Sequence, residues 1–190
     1  MLRSQLALIV IDMLVDFFDR QPALASKRQG LARGVNELTN LLRGSNLPVI
    51  WVRQEFKADL SDAFLDMRRE GIRITMEDTE GSKILPEIEQ RSTDHVIVKK
   101  RYSAFYRTGL TELLTMLAPA TLVVAGINTH ACVRTTVIDA YQRDYDVILA
   151  ADCIGSYDEE HHDISVRYLT GRMARLLSNA EIAALLSRSA

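Results

Sequence analysis

The sequence predicts an α/β protein with three layers, αβα, around a mostly parallel, six-stranded, Rossmann-like sheet. Two observations support this. Short β-branched and aliphatic runs recur along the chain with helically spaced stretches between them, the pattern of strands joined by crossover helices. The runs are also continuously apolar rather than alternating, as in strands covered on both faces, which points to parallel pairing. They are Leu6 to Ile11, Pro48 to Val52, His95 to Val98, Thr121 to Ala125, Asp146 to Ala150 and, more weakly, Met173 to Leu177. Between them, Gly30 to Arg43 sets Leu31, Val35, Leu38, Leu41 and Leu42 on one helical face, and Leu110, Leu113, Leu114 and Leu117 repeat that spacing. Val133, Val137, Ala140 and Tyr141 form another such face after the fourth run. Ser178-Asn179-Ala180-Glu181 fits a capping box, so a last helix is expected to carry Ile182 to Leu186. Residues 54 to 94 mix charges with Gly71, Gly81 and Pro86 and read as an excursion with one helix around Ser61 to Arg69.

Composition bounds the function. A chain of 190 residues, 47% apolar and 25% charged, reads as one domain over residues 1–190, large enough to bury a core without disulfide or metal staples. Its 23 Lys+Arg against 25 Asp+Glu leave a net charge of -2, without the basic excess that nucleic-acid binding needs. The apolar stretch Leu6 to Ile11 is too short to span a bilayer, Asp12 interrupts it, and no small-residue cleavage site follows. A cytoplasmic protein without membrane partners is expected. The two cysteines, Cys132 and Cys153, make neither a disulfide framework nor a Cys-x-x-Cys pair, which suits a reducing compartment where a special thiol is a nucleophile.

In an open parallel sheet ligands bind beyond the carboxyl ends of the strands, and three such ends carry reactive side chains. Asp12 ends the first run, and Lys99-Lys100-Arg101 ends the third. Either could be a solvated loop. Strand side chains alternate faces, so Lys99 and Lys100 cannot both point into one site. After the fourth run comes Gly126-Ile127-Asn128-Thr129-His130-Ala131-Cys132-Val133, which places Cys132 in the first turn of a helix, where unpaired amides and the macrodipole favour a thiolate. Cys153 has no helix start beside it and reads as a small packed side chain. A phosphatase loop would need arginine six positions after the cysteine, and Ile138 stands there. His130, two residues before Cys132, is a weak candidate for its base. His161 and His162 adjoin Asp158, Glu159 and Glu160, but neighbours on a helix point about 100° apart and do not converge on a metal.

Together the three breaks resemble the isochorismatase-like cysteine hydrolase superfamily, which includes nicotinamidases, carbamoylsarcosine amidases and ureidoacrylate amidohydrolases. The likeness runs from the first strand to the last helix. Ile9-Val10-Ile11-Asp12-Met13-Leu14-Val15-Asp16-Phe17-Phe18 is similar to the segment holding the family's catalytic aspartate, which falls on Asp12. Lys99-Lys100-Arg101-Tyr102-Ser103-Ala104-Phe105 is similar to its Lys-x-x-Tyr-Ser-Ala-Phe segment and makes Lys99 the catalytic lysine. Gly126-Ile127-x-Thr129-x-x-Cys132-Val133 is similar to the nucleophile turn, in which a cis non-proline peptide, here Ile127–Asn128, precedes the cysteine. The resemblance implies that the backbone N–H groups of Asn128 and Cys132 form an oxyanion hole.

Departures from subfamilies narrow the expectation. Where nicotinamidases carry a metal-binding Asp-x-His after the second strand, this chain has Arg53-Gln54-Glu55-Phe56, so neither metal nor other cofactor is expected. Isochorismatases acting on a vinyl ether commonly have glycine in place of the cysteine, whereas Cys132 is present here. The resemblance therefore implies hydrolysis of a C–N bond in a small amide, ureido or carbamoyl compound, with vinyl ether hydrolysis and a non-catalytic binding or assembly module as alternatives. Phe17, Phe64 and Tyr106 are candidate pocket walls. By family likeness, a homo-oligomer, dimer or tetramer, is expected.

Overall fold

The computed structural model describes residues 6–188, so both extremities of the 1–190 span lie outside the described residues. In chain order its elements are β1 (Leu6–Ile11), α1 (Val15–Arg20), α2 (Pro22–Ala25), α3 (Arg28–Gly44), β2 (Val49–Gln54), α4 (Leu65–Glu70), β3 (His95–Lys99), α5 (Leu110–Leu117), β4 (Thr121–Ile127), α6 (Arg134–Tyr141), β5 (Asp146–Gly155), α7 (Glu159–Thr170), β6 (Arg175–Leu177) and α8 (Asn179–Arg188). The strands pair in the order β3-β2-β1-β4-β5-β6, every pairing parallel. This is the Rossmann-type order: the chain works outward from β1 to β3, then returns past β1 to build the other half from β4. The switch point lies between β1 and β4.

Alternation along the strands separates two cores. Leu8, Val10, Trp51, Val123 and Ile148 meet α3 and α8 through Leu31, Val35, Leu38, Ile182 and Leu186. On the other face Ile9, Ile11, Val52, Leu122 and Val124 meet α5, α6 and α7 through Leu110, Leu114, Val137, Ala140 and Leu169. The last helix is capped reciprocally: Ser178 N donates to Glu181 Oε2 at 2.8 Å, and Glu181 N donates to Ser178 Oγ at 3.3 Å.

Three expectations need correction. Coverage on both faces fails at the sheet edge, where Val96 and Val98 of β3 remain 45% and 37% exposed, because the helices pack over the inner strands. Tyr141 is likewise exposed rather than part of the α6 face. The excursion helix starts at Leu65 rather than Ser61, since residues 57–63 turn first, with Leu60 at φ 60°. That excursion has its own small core of Phe56, Leu60, Ala63, Met67 and Met76.

The entry to β3 is pinned by a buried carboxylate. Asp94 accepts from Arg43 Nη2 at 2.5 Å, Arg43 Nε at 3.2 Å, Trp51 Nε1 at 2.9 Å and Arg91 N at 2.9 Å. Burial alone would raise its pKa, but Arg43 and Trp51 outweigh burial and hold it below the usual carboxylate range. At the opposite end of the sheet, Gly126 faces Ile11 with φ +110°, and a Cβ there would lie 2.0 Å from the Ile11 carbonyl oxygen. Only glycine lets β4 pass β1 this closely as both enter the site.

Candidate active site

Asp12 is the residue immediately after β1 and has left-handed backbone geometry, φ 54°, which Asp tolerates better than most residues. Its conformation is fixed from β2: Asp12 N donates to the Val52 carbonyl at 2.8 Å, and Asp12 Oδ1 accepts from Gln54 N at 2.7 Å. Lys99 ends β3, in register with Gln54 and two strands away from β1, a separation of about 10 Å at the usual inter-strand spacing. Only a long cationic side chain can bridge that gap. Lys99 Nζ reaches Asp12 Oδ2 at 2.7 Å and Cys132 Sγ at 3.3 Å. Cys132 lies in a π-helical turn, Thr129–Val133, between β4 and α6, and the Asn128 carbonyl there accepts from both Ala131 N and Val133 N. Asp12, Lys99 and Cys132 are 1%, 0% and 5% exposed. Lys100 turns away to pair with Asp62 at 3.1 Å near the surface.

Opposing electrostatic influences meet at the site. Burial is the largest influence on the Cys132 thiol and, with Asp12 beside it, pushes its pKa up to about 12 against the opposing pull of Lys99. Burial thus opposes the thiolate that a helical turn and Lys99 favour. For Lys99, burial disfavours charge, but Asp12 and Cys132 reverse the balance and raise its pKa, so it stays an ammonium. Asp12 Oδ2, although in ionic contact with Lys99, has no directed hydrogen bond. It keeps a lone pair free to receive a proton.

A cavity of about 250 Å³ opens onto this cluster. Phe17 and Phe64 line it, whereas Tyr106 does not: half-exposed, it stands on a neighbouring groove with Lys100 and Arg107. Within the segment read for Lys99, the tyrosine that lines the cavity is Tyr102. Gln54, Asp66 and Tyr157 also line it without having been singled out from sequence. Gln54 could have been found by the strand-end rule that found Asp12, since it ends β2; Asp66 and Tyr157 sit on loops and a short helix and left no pattern. The Ile127–Asn128 peptide is cis, and Asn128 forms part of the wall. His130 also lines the cavity, but its Nδ1 contacts Ser156 Oγ at 2.6 Å, and burial lowers its pKa. His161 and His162 engage separate partners, Asp158 and Thr129. Cys153 is packed under α3, with its Sγ 3.3 Å from Asn179 Oδ1.

A parallel sheet with a carboxylate, an ammonium and a thiol buried together beside its switch point defines an α/β enzyme with the parts of a hydrolase. The chain belongs to the isochorismatase family: residues 6–181 match the isochorismatase domain model, and the protein is an isochorismatase-like hydrolase. Among curated relatives it is 28% identical over 170 residues to the isochorismatase family protein YaaI of Bacillus subtilis, covering 87% of this chain and 89% of that protein. A cysteine hydrolase from Pseudomonas syringae pv. phaseolicola superposes with a TM-score of 0.90 at 22% identity, over 99% of this chain and 95% of the other, a likeness of fold. N-carbamoylsarcosine amidase from Thermoplasma acidophilum gives a TM-score of 0.78 at 29% identity, over 92% and 96%. Among the described residues, no helix is long and apolar enough to cross a membrane.

Proposed function

We propose that this hydrolase cleaves a C–N bond of a small amide, ureido or carbamoyl compound through a thioester on Cys132, with Asp12 and Lys99 as its partners. The observation behind this reading is the fully buried Lys99 ammonium in contact with both Asp12 Oδ2 and Cys132 Sγ. Asp12 takes the thiol proton through Oδ2, the oxygen it shares with Lys99, and the sulfur attacks the substrate carbonyl. Backbone N–H groups of Asn128 and Cys132 receive the developing oxyanion. Asp12 then gives the proton to the departing nitrogen, which leaves as ammonia or an amine while the acyl or carbamoyl group stays on sulfur. Water, deprotonated by Asp12, hydrolyses that thioester and restores the thiol. Lys99 supplies the positive charge without which a carboxylate and a forming thiolate would be two anions in a dry site.

Two variants test the reading. Cys132→Ser removes ammonia release from a panel of small amides and ureas, because an alcohol at that position is far less readily ionised. Cys153→Ser leaves it largely unchanged. Mass spectrometry of quenched wild-type reactions should find the acyl adduct on Cys132. Equal loss in both variants, or full turnover by Cys132→Ser, would sink the assignment.

A further inference from the structure

The wall of the cavity carries hydrogen-bonding groups that the protein itself leaves unused. Gln54 is 5% exposed, and its side-chain amide has no hydrogen-bond partner among the described residues, although its backbone N–H is bound to Asp12. Buried amides are normally paired, so an unpaired one facing a cavity marks the place of a ligand's own polar group. Asn128 Oδ1 accepts from Tyr157 N at 3.4 Å, while its Nδ2 has no partner among the described residues. The tautomer of His130 follows from its neighbour. Ser156 is fully buried and its Oγ accepts from Asp158 N, and the arrangement that also uses its hydroxyl proton directs that proton to His130 Nδ1. The imidazole proton is then on Nε2, a neutral donor on the remaining edge of the ring. The set is one amide able to donate and accept, plus two further donors.

The distribution of charge is equally selective. Among the described residues, no arginine or lysine lines the cavity. Lys99, beneath it, is engaged with Asp12 and Cys132. Arg53, beside Gln54, is paired with Glu55 at 3.3 Å, and Arg101, whose Nη1 donates to the carbonyls of Asp62 and Lys100, lies over the Phe64 ring, 5.0 Å from its centroid, rather than among the lining residues. The one formally charged wall residue is Asp66, at the start of α4, with neither ion pair nor hydrogen bond among the described residues. A carboxylate entering here would lose its hydration, meet no cation among the lining residues and pass an anion.

Building on the cysteine-hydrolase reading, we propose that the site selects a small uncharged amide or urea, bound by the free amides of Gln54 and Asn128, and rejects the corresponding carboxylic acid. Apolar contacts from Phe17, Phe64 and Ile72 complete a space suited to a compact molecule.

Matched pairs decide the matter: succinamide against succinamate, and N-carbamoylglycinamide against N-carbamoylglycine. Calorimetric titration of the Cys132→Ser protein measures binding without chemistry. The neutral member is expected to bind at least about tenfold more tightly, and wild-type kcat/KM for ammonia release to follow the same order. Asp66→Asn should narrow the gap. Gln54→Leu should weaken binding of the neutral member at least about fivefold without lowering the melting temperature, because the amide satisfies nothing in the protein. A drop in melting temperature with unchanged affinity would make Gln54 structural and overturn its role. Equal or tighter binding of the acids overturns the substrate class, as does binding of neither member. Neutral-selective binding without any wild-type turnover or acyl adduct supports the ligand class and refutes the cysteine-hydrolase reading instead.

Discussion

Replacing Lys99 with methionine keeps the stem and removes the charge, leaving Asp12 as an uncompensated carboxylate at 1% exposure. Breaking a buried ion pair in this one-sided way costs about 3–5 kcal/mol of stability. For a protein of this length each kcal/mol moves Tm by about 2–4 °C, so calorimetry should register a fall of roughly 6–20 °C. Activity should drop by at least about a hundredfold, or ~2.7 kcal/mol of transition-state stabilisation, because the same ammonium faces the sulfur at 3.3 Å. Lys100→Met is the control: its partner Asp62 lies near the surface at 3.1 Å, and such a pair contributes under about 1 kcal/mol. Adding Asp12→Asn to Lys99→Met removes the stranded charge and should restore much of the stability while leaving the enzyme inactive, with a coupling of at least about 1 kcal/mol in the double-mutant cycle. Additive single losses, or a larger penalty for Lys100→Met than for Lys99→Met, would refute the assignment of Lys99 as the buried bridging cation.

Gly126→Ala should destabilise the protein by about 3 kcal/mol or more in urea denaturation, since the new methyl would meet the Ile11 carbonyl and the backbone is at positive φ; a shift below 1 kcal/mol would mean that β1 and β4 can separate freely. Asp94, whose pKa is lowered in the folded state, contributes stability that is present above its unfolded value of about 3.9 and is lost as pH falls through the folded value. Urea midpoints followed down to low pH should therefore fall less steeply for Asp94→Asn than for wild type; parallel curves would exclude the linkage. Activity is expected to survive exhaustive chelation, because no group of His, Cys, Asp and Glu among the described residues could hold a metal ion; restoration of a chelated, inactive protein by added zinc or iron would show otherwise.

Where a residue's position follows from strand order and periodicity, the sequence was enough to read it. Asp12 and Lys99 end parallel apolar runs and Cys132 stands in the turn that follows another, so placing the six strands also placed the three side chains at one edge of the sheet. Choosing Lys99 over Lys100 needed the segment ending in Tyr102-Ser103-Ala104-Phe105, because alternation says that the two lysines differ but not which one faces inward. What escaped depended on long-range packing. Tyr106 and Tyr102 are equally aromatic and lie within one motif, and only the path of the chain after β3 turns Tyr102 into the cavity. The exposure of Val96 and Val98 follows from β3 lying at an edge, which β-branched composition does not announce. At Cys132 two effects oppose each other: helix-terminus position favours a thiolate, and desolvation at 5% exposure pushes the thiol pKa up.

A nucleophile stored as its conjugate acid also ages differently from one stored ionised. Peroxides and alkylating reagents attack thiolates, and the climb from sulfenic to sulfonic acid starts from that form. With its thiol pKa pushed up to about 12 and almost none of its surface open, resting Cys132 offers such reagents very little to attack. In the proposed mechanism, ionised sulfur exists only while Asp12 holds the proton, a moment when substrate fills the cavity and keeps oxidants out. Damage to this protein should therefore accumulate with the number of catalytic cycles rather than with hours of storage.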